Sequence, residues 1–141
     1  MAEIKMVWNG NTKGNGKIQG ENLTTDIAIP QSLGGSGEGA DPKELLIASA
    51  ATCYATTLVY MLETKELPVT DFTMDSEVNV SKEDGIKIIH QPHIVLSSEA
   101  TEKQREAVDR AFMSADKSCA VGNMLKKADA QITIEGKVTV K

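Results

Sequence analysis

Asp41-Pro42-Lys43-Glu44-Leu45-Leu46-Ile47-Ala48-Ser49-Ala50-Ala51-Thr52-Cys53 is the stretch on which the fold turns. Asp before Pro is a helix start: the carboxylate caps free amides, and Pro at the first helical position gives up no bonded N–H. The pattern predicts a helix from about Pro42 to Lys65, ended by Pro68. Leu46, Ala50, Cys53, Thr57 and Tyr60 share one stripe of it, whose small residues let a second helix approach closely. The apolar run Leu45–Leu62 is broken by Ser49, Thr52, Thr56 and Thr57, so it reads as a buried helix and not as a membrane span.

Upstream, residues 3–8 alternate up to Trp8 and meet a turn signal at Asn9-Gly10-Asn11; Lys13-Gly14-Asn15-Gly16 reads as a second turn. Leu23, Thr25, Ile27 and Ile29 lie on one face of a third strand, which makes the N-terminal third a small antiparallel meander. The glycines of residues 34–39 read as a flexible connection. They lack the following Lys-Ser/Thr of a phosphate cradle and carry Glu38. Downstream the period changes to two. Phe72, Met74, Val78 and Val80, an Asp84-Gly85 turn, then Ile86, Ile88, Ile94 and Leu96 make a hairpin, with Pro92 marking an edge or an irregularity. A second long helix from about Glu99 to Asp116, a short one at Ala120–Lys127 and a last strand, Ile132 to Val140, follow. Strands and helices in this order, without repeated βαβ units, define an α+β domain.

The length of 141 residues suits a single domain over 1–141. A net charge of −5 and only two arginines, Arg105 and Arg110, argue against nucleic acid as a partner. Met1-Ala2-Glu3-Ile4-Lys5 has no basic stretch leading into an apolar core, so a cytoplasmic location and no membrane association are expected. In that compartment thiols are normally reduced.

Cys53 and Cys119 are therefore the residues to follow. They stand 66 residues apart, which excludes a CxxC redox or zinc spacing. Burial tendencies favour two small core residues; two helices packed along their small faces would instead bring the thiols together. By local context Cys119 looks the more activated, because it opens a short helix beside Lys117, whereas Cys53 lies mid-helix and needs a cation from elsewhere. His90 and His93, three apart on a strand, point to opposite faces and make a poor metal pair, so a solvated or edge-strand role is expected of them.

Ile29-Pro30-Gln31-Ser32-Leu33-Gly34-Gly35-Ser36-Gly37, then Asp41–Leu46 and Ala48–Cys53, resemble the OsmC/Ohr family of osmotically inducible and organic hydroperoxide resistance proteins. Lys117-Ser118-Cys119-Ala120-Val121-Gly122-Asn123-Met124-Leu125 is similar to that family's second motif. The resemblance implies an OsmC-like fold, antiparallel sheets with two long central helices, in an intertwined homodimer. It also implies a peroxidase that needs no cofactor and no metal. Cys53 would attack an organic hydroperoxide, Cys119 would resolve the sulfenic acid as a disulfide, and a dithiol reductant, in some members a lipoyl protein, would reopen it. Glu44 matches the family glutamate that pairs with an arginine beside the thiolate.

Helix geometry constrains that role. Nine residues separate Glu44 from Cys53, which places them about 180° apart around the axis and about 13 Å along it. Glu44 is therefore expected to serve the partner subunit's thiol, or to act through a bend near the helix start. The chain departs from the family in having no arginine before Arg105, leaving Lys13 or Lys17 to supply the charge, and in having Ala120 and Gly122 where members often have Pro and Ser. Three functions follow: a cysteine-based peroxidase, a redox-responsive or ligand-binding dimer with little turnover, or a structural thiol pair.

Overall fold

Near the N-terminus, β1 (Lys5–Asn9), β2 (Asn15–Gln19) and β3 (Thr24–Ile27) form an antiparallel sheet in sequence order. In this computed structural model, which describes residues 2–141, they belong to the first of two units, one ending at Leu46 and the other beginning at Ile47. A single turn spans residues 10–14, with Gly10 at φ 92° and the Gly14 N–H bonded to the Asn11 carbonyl at 2.9 Å. The expected second turn is thus the start of β2, since the first one has already reversed the chain.

The glycine-rich connection is tied down and not a free linker. Gly35 and Gly37 donate to the Pro30 and Ile29 carbonyls, each at 3.0 Å, and the Ser36 hydroxyl donates to the Gly14 carbonyl. Helix α1 (Pro42–Thr64) begins where Asp41-Pro42 predicts, with Asp41 Oδ1 accepting the Glu44 N–H at 2.8 Å.

The second unit is built on the hairpin β4 (Val69–Ser81) and β5 (Gly85–Leu96), antiparallel through a turn with Gly85 at φ 69°. Helices α2 (Glu102–Ser118) and α3 (Ala120–Lys127) make the long crossover that parallel pairing requires. Strands β6 (Gln131–Ile134) and β7 (Lys137–Val140) then both run parallel along the far side of β5. The fold is α+β as read, but this second sheet is mixed and not purely antiparallel.

The single last strand is in fact two, interrupted at Glu135-Gly136. The interruption answers Pro92: β6 pairs with β5 up to His90 and β7 resumes at His93, so the residue without an N–H faces the gap. Strand β5 is therefore central, and Pro92 marks an irregularity and not an edge. Gly136 also has reason to be glycine: a Cβ there would collide with the Phe112 ring.

Helix α2 starts at Glu102, later than the pattern indicates, because Thr101 and Gln104 form a reciprocal capping box. It buries Val108, Ala111, Phe112 and Ala115 against Ile94 and Leu96 of β5. On α1 the buried line is Ala50, Tyr54, Leu58 and Leu62. This corrects the small-residue stripe: Tyr60 is 70% exposed, and long side chains, not close backbone approach, join the helix to this core. The buried-helix expectation also needs correction. Helix α1 is apolar and long enough to cross a membrane, yet only 22% of its most apolar window is covered within the chain.

Candidate active site

The second unit brings Cys53 and Cys119 together. Cys53 projects from the middle of α1, beside the buried Tyr54, and is half-buried. Cys119 is the residue between α2 and α3, at 2% exposure. Both are free thiols, and their sulfurs accept from two adjacent amides, those of Val121 and Gly122.

The start of α3 serves both sulfurs. The first amides of a helix have no partner inside it. Here the Val121 N–H donates to Cys53 Sγ at 3.5 Å and the Gly122 N–H to Cys119 Sγ at 3.4 Å. The Ala120 amide also favours the Cys53 thiolate, while the Thr57 hydroxyl, one turn along α1, donates to the Cys53 carbonyl at 2.7 Å. The Asn123 N–H closes the first helical bond to the Cys119 carbonyl. Gly122 is buried, and a Cβ on it would lie 3.3 Å from Cys119 Sγ.

The two thiols differ in acidity. Burial opposes the Cys53 thiolate, but the Val121 amide, the Cys119 thiol, the Ala120 amide and Thr57 outweigh it and hold the pKa below the usual value of 9.0. Burial, reinforced by the Cys53 thiol bond, pushes Cys119 up to about 11 despite the Gly122 amide; Asp116 adds to the rise. Local context favoured Cys119 as the activated thiol, and the structure reverses that order. The short helix does supply the positive end, but most of it is aimed at the other cysteine.

Sequence reasoning missed the polar groups beneath the pair. His90 is 1% exposed, its ring stacked on Tyr54 with centroids 5.1 Å apart and its Nδ1 bonded to the Ser76 hydroxyl at 2.7 Å. The solvated or edge-strand expectation fails for it because β5 is central and alternation turns residue 90 inward. Burial lowers its pKa against the opposing pull of Asp116. Tyr54 donates to the Phe112 carbonyl at 2.9 Å, and burial raises its pKa, with Asp116 and Cys119 adding to the rise. Asp116 itself pairs with Lys126 at 2.9 Å. His93 faces the other way and meets Thr139 at 2.8 Å. Among the described residues no group of three or more potential metal ligands is gathered.

Glu44 lies in the first turn of α1 with its side chain exposed, and α1 continues without a break from Pro42 to Thr64. Glu44 and Cys53 are thus nine positions apart on one continuous helix. Lys13 donates to the Gly34 carbonyl at 3.3 Å, and Lys17 pairs with Asp26 at 3.7 Å across exposed strands. Both of these cations are therefore engaged within the first unit.

A half-exposed thiol of lowered pKa thus stands beside a buried second thiol of raised pKa. The chain belongs to the OsmC-like protein family, whose sequence model matches residues 35–135. It is 37% identical over 144 residues to "Uncharacterized protein YmaD" of Bacillus subtilis (strain 168), covering 94% of this chain and 95% of that one. It is 24% identical over 146 residues to "Organic hydroperoxide resistance protein-like 2" of Staphylococcus saprophyticus, covering 98% and 95%. Its fold matches the crystal structure of an OsmC-like protein from Mycoplasma pneumoniae with a TM-score of 0.77 at 16% identity, over 99% of this chain and 97% of that one.

Proposed function

We propose that this protein is a cysteine-based peroxidase that reduces organic hydroperoxides to alcohols. The observation that carries the reading is the contact between a Cys53 thiol of lowered pKa and the buried Cys119. The Cys53 thiolate attacks the peroxide oxygen, the O–O bond breaks, and the alkoxide leaves as the alcohol after taking a proton. Cys53 is then a sulfenic acid. The Cys119 sulfur displaces its hydroxyl as water and forms the Cys53–Cys119 disulfide. A dithiol reductant, such as a lipoyl group, reopens the disulfide and is itself oxidised to a cyclic disulfide. No cofactor is needed.

The active form in this reading is a homodimer in the cytoplasm, the compartment where a dithiol reductant is maintained. Two apolar surfaces support the dimer. One is α1, with Val59 and Tyr60 at 48% and 70% exposure. The other is a hollow of about 480 Å³ in the first unit, whose lining includes Met6, Trp8, Ile27, Ile29 and Leu33. Exposed apolar areas of this kind mark association surfaces. In this reading Glu44 acts in the partner's site, and its position about 180° around α1 from Cys53 supports that.

The test is consumption of cumene hydroperoxide by the reduced protein with excess dihydrolipoamide. Sustained turnover that Cys53→Ser abolishes is the expected result. One round of disulfide formation without turnover identifies instead a redox-responsive protein, the reading favoured by the missing arginine. No reaction at either thiol overturns both.

A further inference from the structure

Resting on Cys53 as the reactive sulfur, we propose that the backbone N–H of Ala120, together with that of Val121, holds the Cys53 thiolate in place of a cationic side chain. Three successive amides open α3 at the two sulfurs: Val121 donates to Cys53 and Gly122 to Cys119, and the Ala120 amide next to them favours the Cys53 thiolate. The groups that favour the Cys53 thiolate are all neutral, namely the Ala120 and Val121 amides, the Cys119 thiol and Thr57. The charges of the same unit, Asp116 paired with Lys126, act on Cys119, Tyr54 and His90. A helix N-terminus carries roughly half a positive charge, and amide bonds to an anion are stronger than those to a neutral group.

The identity of residue 120 then carries chemical information. Any residue except proline supplies this donor. Proline is otherwise well suited to the position: it is favoured at the first residue of a helix, and Cys119 before it already has φ −73° and ψ 111°, the extended backbone that proline demands of its predecessor. Ala120→Pro therefore deletes one hydrogen bond to sulfur while keeping the helix.

The experiment follows iodoacetamide labelling of Cys53 by peptide mass between pH 5 and 10, with no peroxide present, in the wild type, Ala120→Pro and Ala120→Gly. Loss of a bond to an ionised group shifts the midpoint of Ala120→Pro up by about one unit. Below the midpoint its labelling slows about three-fold, because a more basic thiolate is also a better nucleophile. Ala120→Gly keeps the wild-type midpoint. An unmoved midpoint in a folded Ala120→Pro overturns the proposal, as does an equal shift in Ala120→Gly.

Nitrogen-15 NMR of the unaltered protein provides a measurement independent of any variant's folding. The Ala120 and Val121 amide protons are expected to shift downfield at the Cys53 midpoint, and amides that do not titrate overturn the proposal. Because the readout is thiol acidity, failure of peroxidase turnover leaves this result standing, and the reverse holds equally.

Discussion

At Cys53 and Cys119, the same two-residue contact gives one sulfur an open, amide-rich setting and the other a dry one. Thiolate at Cys53 accumulates as pH rises through a value below 9.0, whereas Cys119 must approach about 11. Brief iodoacetamide treatment at pH 8 is therefore expected to modify Cys53 and spare Cys119, read by peptide mass; equal labelling contradicts the assignment. The raised Cys119 value also has a stability consequence. Between about 9 and about 11 the folded chain keeps a proton that the unfolded chain has lost, so the urea midpoint falls as pH rises through that window. The pair itself was legible in sequence from its two motifs. Its polarity was not, because the partner of the Ala120 and Val121 amides lies about 68 residues away in sequence, on α1.

Elements whose ends are set by their own side chains were readable: Asp41-Pro42 opens α1 and Asp84-Gly85 turns the β4–β5 hairpin. Of the boundaries that escaped reading, the α2 start is local, set by the Thr101–Gln104 capping box, whereas the others depend on neighbours. Periodicity carried the last strand straight from Ile132 to Val140, but it is interrupted at Glu135-Gly136, where Pro92 of β5 offers no N–H and the Phe112 ring leaves no room for a Cβ on Gly136. Gly136→Ala is expected to cost about 1–3 kcal/mol, through a Cβ that neither the ring nor the strand can accommodate without moving. Urea denaturation checks it, and a variant as stable as the wild type contradicts the close approach. His90 was misplaced for a related reason. Its inward direction follows from alternation, but its burial required β6 and β7 to cover the side of β5 opposite β4.

For the whole molecule, the phase of α1 sets Glu44 about 180° from its own Cys53, and the proposed dimer would bring it to the partner's thiol instead. Mixing Glu44→Gln with Cys53→Ser subunits tests this directly. A mixed dimer has one site with Cys53 from the first chain and Glu44 from the second. Peroxidase activity is expected to rise on mixing, above that of either variant alone, if Glu44 acts across the interface. Activity that stays at the Glu44→Gln level in the proportion of that subunit contradicts the shared site.

Sequence by itself determined the α+β class, the start of α1, the hairpin and the two cysteine motifs, because caps, turns and periodicity are properties of a few adjacent residues. Tertiary structure alone decided which thiol receives the α3 amides, where β5 sits in its sheet, and how much of α1 its own chain leaves uncovered. Those outcomes depend on which distant groups desolvate one another and where a helix end points, quantities that no local run of residues contains.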